Sequence, residues 1–424
     1  MRTFSIFTAL LLLLFAFSCS RAVGYLVVVW PPDESDLGYG ELVRVISQSE
    51  LRNIFVIEKA GSRVREEVPR PIGKFFDRRR DAERFAAEFK PYINMFAFTE
   101  TALNVRRLPD ANSERVYRLR PGQVVKIVSK SQTPSVVGHL TGYWTEVMTE
   151  SGVIGYSFGS FLTFFTRDTS LSRQEHEQQL LDSFFNNTWY PTVYADIINS
   201  GNIVIESLQT GEGLFPDRAN NRIVIQTQRE RIEFNFTDIS FEGSNTVAFL
   251  GTPLEIILYS TERIYVSYTH RGVNHLAFYT TLEMPLERYI EEEVLRRIAV
   301  LDRFYARGRN LTSDLYGTIS LGDRRRFTWT GYLNLVPDVF PFGFGSTGTV
   351  QSNYFLASRL ARRFDGVITF AFDSPGREIV FAYLFVDDAV RFTHIPERNI
   401  ERGIVTSIPA EPRVIYFRQS SLPR

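Results

Sequence analysis

The chain has 424 residues, 44% hydrophobic and 23% charged, with 48 basic residues balanced by 48 acidic ones. These proportions exclude a disordered polypeptide, and the balance excludes a global field that would recruit nucleic acid. The length points to roughly two to four domains at about 100 to 150 residues each, and the 36 Phe and 19 Tyr favour β structure. The single cysteine, Cys19, excludes structural disulfides.

The first element is a leader. Met1 and Arg2 precede an apolar run through Leu10 to Phe17 that ends at Ala16-Phe17-Ser18-Cys19. The run is shorter than the roughly 20 apolar residues a spanning helix needs, so residues 1–18 are expected to be a signal peptide. The small residues Ala16 and Ser18 before Cys19 resemble a bacterial lipobox, with Ala16 where Leu is usual and the bulky Phe17 between them. That resemblance implies acylation of Cys19 and a lipid anchor in the bacterial cell envelope, on the inner or outer membrane. An ordinary secretory signal containing a thiol is the plain alternative.

Next, Tyr25 to Trp30 reads as a strand closed by Pro31-Pro32-Asp33, Gly40 to Ser49 as a second strand and Asn53 to Glu58 as a third. Gly122-Gln-Val-Val-Lys-Ile-Val-Ser-Lys-Ser131 repeats Gly40-Glu-Leu-Val-Arg-Val-Ile-Ser-Gln-Ser49 nearly position by position, which predicts a tandem repeat of one small β module. Between the copies, Ala82, Phe85, Ala86 and Phe89 recur at helical spacing over 77–89. The flanking arginines and glutamates predict a solvated face.

The second copy carries a longer pattern. Leu103-Asn-Val-Arg106 opens it, followed by Val116 to Leu119, a Pro-Gly turn, the strand Val124 to Val128, Tyr143-Trp144-Thr-Glu-Val-Met148, Val153-Ile-Gly-Tyr156 and Ser160-Phe-Leu162. In that order these residues resemble a bacterial Src-homology-3-like domain over about 99–165, with a divergent copy at about 24–98. Tyr156 stands where the family often has Trp, and 129–141 is a longer insertion. The resemblance implies small β-barrels that contact peptidoglycan stems or envelope proteins. Asn104, Arg106, Tyr143, Trp144 and Tyr156 are the candidate ligand-binding residues, by aromatic stacking on a shared groove. Trp144 as a plain core residue is the competing expectation.

Polar composition around 166–179 marks a boundary, and 174–185 reads as a helix within a linker at 167–190. From about 191 to 424 strands follow one another, interrupted by a long helix at 285–307. Ile232, Phe234 and Phe236 alternate with polar residues, the period of a strand with one wet face. An antiparallel barrel or strongly curved sheet capped by a helix is expected there, so the fold class is mainly β: two Src-homology-3-like barrels at 19–98 and 99–166, then a larger β domain.

Chemistry is sparse. There is no Gly-x-Ser-x-Gly elbow, the glycine-rich Gly343 to Gly348 lacks the lysine of a phosphate loop, and the one cysteine is assigned to the anchor. His270 and His275 lie close in sequence without a convincing third metal ligand. No cofactor and no catalytic residue is therefore assigned. The expectation is a lipid-anchored binding or assembly protein. Its rivals are a wall hydrolase with a carboxylate pair in the carboxy-terminal domain and an apolar-ligand carrier.

Overall fold

A computed structural model of the chain describes residues 22–420, apart from 33–34, 60, 63, 169–170, 172, 243–244 and 375. The leader at 1–18 and Cys19 lie outside the described residues. The chain divides into two bodies. One holds the residues up to Thr188 with Phe215–Val224 and Glu233–Tyr279; the other holds Trp189–Leu214, Ile225–Ile232 and Thr280 onward.

In the first body, β1 (Gly24–Val28), β2 (Leu42–Ser49), β3 (Ile54–Glu58), β4 (Arg65–Pro69) and β5 (Gly73–Phe76) form an antiparallel sheet in the order β4-β3-β2-β1-β5. Alternation places Val43, Val45, Phe55 and Ile57 on one core with Leu26 and Val28. Helix α1 (Arg79–Phe89) follows, its charged face carrying the Arg79–Glu83 and Arg84–Asp81 ion pairs. Ala82 and Phe89 are buried.

The second copy contains β6 (Met95–Phe98), β7 (Leu103–Arg106), β8 (Arg115–Leu119), β9 (Val124–Lys130), the hairpin β10 (Ser135–Val137) and β11 (Leu140–Gly142), β12 (Trp144–Thr149), β13 (Ile154–Phe158) and β14 (Thr163–Thr166). Its sheet order is β14-β6-β9-β12-β13-β7-β8. Without β7 and β8 this is the first sheet again, strand for strand. The sheet also takes in Met95–Phe98, ahead of the Leu-Asn-Val-Arg opening.

The repeat extends to backbone detail. Gly40 and Gly122 both have φ of 78°, a region glycine enters without steric cost. Each donates its N–H to the residue at the end of the neighbouring strand, Gly40 to the Val28 carbonyl (2.7 Å) and Gly122 to the Thr99 carbonyl (2.8 Å). Both copies also break register at the same repeat position. Val45 pairs with Ile57 and Ser47 with Val56, leaving Ile46 as a bulge; Ile127 pairs with Val147 and Ser129 with Glu146, leaving Val128 as a bulge.

Both faces of the second sheet are covered. Val125, Ile127 and Val147 fill the module's own core. On the opposite face Val128 and Met148 pack with Phe89 of α1, and Phe98 packs with Tyr259 and Tyr265. That two-sided burial explains why every residue of β12 is buried. Phe98 and Tyr259 stack at 3.8 Å, and the Tyr259 hydroxyl donates to the Gly122 carbonyl at 2.6 Å.

Lys126 lies on that second face and is fully buried. Its ammonium donates to the carbonyls of Tyr92 (2.6 Å), Met95 (2.8 Å) and Ile127 (3.2 Å). The rings of Phe96, Phe89 and Tyr39 surround it at 4.7, 5.0 and 5.9 Å. Three acceptors for three donors, together with the ring faces, offset much of the cost of burying a charge.

The strands Asp238–Glu242, Thr246–Leu250, Leu254–Leu258, Arg263–His270 and Val273–Thr280 follow one another in sheet order. The helix Arg173–Asn186 packs on them through Phe184 and Phe249, whose ring centroids are 5.7 Å apart. The alternation over 231–237 appears as alternating burial, with Ile232, Phe234 and Phe236 buried.

In the second body eight antiparallel strands between Asn310 and Ser420 close into a barrel, Asn310–Ser313 pairing with Val414–Ser420. Trp329, Phe370, Phe381, Phe392 and Phe417 fill it, and Leu301 and Phe304 of the helix Leu286–Ala306 join that core. The helix is tied down where Gln419 donates to the carbonyls of Phe304 (2.9 Å) and Gly308 (2.8 Å). The runs Ile203 to Ile205 and Phe327 to Leu335 both read as strands in the sequence, and both end differently. The run from Phe327 stops at Thr330 because Gly331 turns at φ 81°, and a 3-10 turn, Tyr332–Leu335, takes over. Ile203 to Ile205 leads into a 3-10 turn at Ile205–Ser207, a β-branched run too short to hold a strand on its own.

Burial, with the Arg167 charge nearby, pushes Lys126 down to about 7 from the ordinary lysine value of 10.5. Between those values the unfolded chain binds more protons than the native one, so stability rises with pH across that window and is lost as pH falls through about 7. Urea midpoints measured between pH 6 and 9.5 should climb in the wild type, and Lys126→Met should remove that climb.

Candidate functional site

A cleft of about 250 Å³ opens in the second module. Strand β7 and the segment before it supply Thr101, Leu103, Asn104 and Arg106; β12 and β13 supply Trp144 and Phe158; the 3-10 turn Gly159–Phe161 supplies Phe161. Val137 of the β10–β11 hairpin and Ala111 of the β7–β8 loop complete the rim. The long insertion and the β7–β8 hairpin, the parts that distinguish this copy from the first, thus build the cleft walls.

Of the five residues expected to form a groove, three line this cleft: Asn104, Arg106 and Trp144. Trp144 is also a core residue, 4% exposed, set edge-on to Phe158 at 5.5 Å. The two expectations for it therefore describe different surfaces of one ring. Arg106 donates to the Ser113 carbonyl at 2.6 Å, which holds its guanidinium beside the cleft. Phe161 is the exposed aromatic surface there, at 42%.

Tyr143 and Tyr156 are not among the lining residues. Tyr143 is exposed with the Lys130 ammonium 4.3 Å from its ring centre. Tyr156 pairs across strands with Arg106 on one side and Glu146 on the other. Burial, and secondarily the Glu146 carboxylate, raises its hydroxyl above the ordinary tyrosine value. That carboxylate accepts from Lys74 (2.5 Å) and Ser129 (3.0 Å), so a charged network lies beside Tyr156.

Phe158 and Phe161 were absent from the sequence-based set. Phe161 lies inside the Ser160-Phe-Leu162 motif that ends the Src-homology-3-like pattern, where the resemblance assigns it no binding role. Its aromatic character between a serine and a buried leucine was the available cue.

A larger cleft, about 660 Å³, is found in the second body, lined by Tyr354, Glu378, His394 and Glu397 over Ile379 and Val380. The Tyr354 hydroxyl donates to Glu378 at 3.2 Å, and burial, with the Glu378 and Glu397 charges, pushes it up to about 12. Burial pushes His394 down to about 4, so it is neutral at pH 7. His270 and His275 sit on two paired strands joined at Arg271 and Gly272, and the His275 ring stacks on Tyr268 at 4.8 Å. Among the described residues no three His, Cys, Asp or Glu side chains are grouped to hold a metal ion.

Truncation separates the two aromatic neighbours. Trp144→Ala should cost about 3–5 kcal/mol of stability, since it removes a packed core ring, whereas Tyr143→Ala should cost less than about 1 kcal/mol. Denaturant unfolding of both variants checks this.

Comparison with known proteins gives two family-model matches. Residues 23–91, which span β1 to β5 and α1, match the TP0260 family, N-terminal SH3 domain, and residues 172–282 match the TP0260 family, third domain. A protein of Treponema pallidum (strain Nichols), described as uncharacterized, is 30% identical over 415 residues, covering 96% of this chain and 92% of that relative. Likeness over nearly the whole of both chains, with two domain matches in the same order, places this chain in the TP0260 family.

Proposed function

We propose that this protein is a lipid-anchored component of the bacterial cell envelope that binds, without catalysing a reaction, through the cleft of its second Src-homology-3-like module. The observation that carries this reading is the cleft itself. Phe161 offers an exposed ring, Trp144 an edge, and Asn104 and Arg106 of β7 polar groups, the Arg106 guanidinium held by the Ser113 carbonyl of the β7–β8 loop. An apolar surface with a few placed donors suits a peptide or glycan, whose backbone amides or ring hydroxyls bond to the donors while their apolar faces stack on the ring. Peptidoglycan stems and envelope proteins both present such groups.

The first module supports the same reading from the other side. Among the described residues its β1–β2 connection carries no strand pair corresponding to the β7–β8 hairpin, so that wall of the cleft has no counterpart there, and in this reading the first module serves as the scaffold on which the second is mounted. The anchor rests on Cys19 at the end of the leader. Several acyl chains there would hold the protein at a membrane, since burial contributes about 0.8 kcal/mol per methylene.

Two measurements test the reading. Saturable co-sedimentation of the purified protein with purified peptidoglycan, or recovery of a specific partner from envelope extract, is expected. Phe161→Ala should weaken it by roughly tenfold without lowering the unfolding midpoint by more than a degree or two. Equal recovery of variant and wild type rejects the cleft. Separately, Cys19→Ala should move the protein from the membrane fraction to the soluble one and abolish acyl labelling, while retention at the membrane rejects the anchor.

A further inference from the structure

The barrel body carries a basic recess that is separate in sequence from the cleft of the second module. It measures about 340 Å³ and is lined by Arg324, Arg325, Arg297, Thr349, Gln351 and Asn353, with Val294 as an apolar wall. Arg297 is already neutralised, bonded to Glu206 at 2.6 and 3.0 Å and to Glu293 at 2.8 Å. Arg324 and Arg325 differ. Among the described residues neither guanidinium has a hydrogen-bond or ion-pair partner, and the adjacent Asp323 pairs instead with Arg309 at 2.8 Å.

The backbone there is also strained. Arg324 and Arg325 are consecutive non-glycine residues at φ of 53° and 61°, a left-handed conformation that costs side-chain-bearing residues and clusters at ligand sites. It puts two unpaired positive charges next to each other at one recess. The donors beside them are oriented too: the Asn353 Oδ1 accepts from the Thr369 hydroxyl at 2.8 Å, which leaves its Nδ2 as a donor, and Gln351 lies on the outer face of the barrel wall between the inward Val350 and Ser352.

We propose that this recess binds a phosphate-bearing ligand of the phosphomonoester class. Two free guanidiniums match the near-dianionic charge of a phosphomonoester at neutral pH, and their forked donors with the Asn353 amide suit its several acceptor oxygens. The volume exceeds what the phosphate needs, and Val294 offers an apolar contact for a small organic substituent. The phosphate could belong to a soluble ester or to a lipid headgroup; the chemistry at the arginines is the same.

The test uses the purified protein carrying Cys19→Ala, so that no acyl chain contributes. Calorimetric titration with glycerol 3-phosphate and flotation with phosphatidylcholine vesicles containing phosphatidic acid are run in parallel. Saturable binding of the soluble ester without vesicle retention assigns a soluble ligand; retention on the vesicles assigns the headgroup. The Arg324→Gly/Arg325→Gly variant should bind roughly tenfold more weakly for each guanidinium removed while its unfolding midpoint stays level or rises, because glycine fits these φ values. Should glycine loosen the loop, Arg324→Gln/Arg325→Gln keeps side chains there and should show the same loss of binding. Neither ligand bound by the wild type, or both double variants binding as the wild type does, overturns the site.

Discussion

The buried ammonium of Lys126 organises the amino-terminal half. Its three donors are taken by carbonyls from the turn after α1, from the start of β6 and from β9, while rings from the first module, α1 and β6 surround it. An unpaired buried charge costs several kcal/mol, so every segment that supplies a carbonyl or ring is fixed relative to the others once Lys126 is enclosed. The first module, the helix and the second module thereby become one unit rather than beads on a linker.

With one face of the second sheet closed in this way, the remaining surface of that module is what can act. Phe98, stacked on Tyr259, takes up a further part of the buried face, and the Tyr259 hydroxyl caps the Gly122 carbonyl at the repeat's glycine turn. The exposed remainder is the end bearing the β7–β8 hairpin, the β10–β11 insertion and the turn at Phe161. The candidate cleft lies there, where additions to the repeated frame meet Trp144 of β12 and Phe158 of β13 from the frame itself. Loops and hairpins held by a rigid sheet are where binding residues gather, because they change without disturbing the core.

The barrel shows a different use of aromatic residues. Its axis is filled by Trp329 and a set of phenylalanines in edge-to-face contact, such as Phe370 with Phe327 at 5.0 Å and with Trp329 at 5.2 Å. A small barrel filled in this way presents its chemistry on its rim and outer wall. Two recesses there, one lined by Glu378 and Glu397 and the other by Arg324 and Arg325, combine turn residues with barrel-strand residues, and the second adds Val294 and Arg297 of the helix Leu286–Ala306.

Much of this was legible in the sequence because it is written in local pattern. Alternation over 231–237, helical spacing at Ala82, Phe85 and Phe89, and the duplicated run from Gly40 and Gly122 each report a backbone period, and the duplication even carries the same glycine turn and the same bulge. What the pattern does not carry is which neighbour covers a face. Arg44 and Lys126 occupy one repeat position, yet Arg44 pairs with Glu58 across β3 at the surface, whereas Lys126 is fully buried opposite Met148. Likewise Trp144 and Tyr143 are adjacent in the chain, and only the packing against Phe158 sends the first to the core and cleft while the second faces solvent. Strand period and turn chemistry are set by neighbours in sequence, so the sequence by itself determined the modules, their repetition and the mainly β class. Burial, charge pairing and the lining of each cleft depend on segments tens of residues apart, and only the tertiary structure decided those.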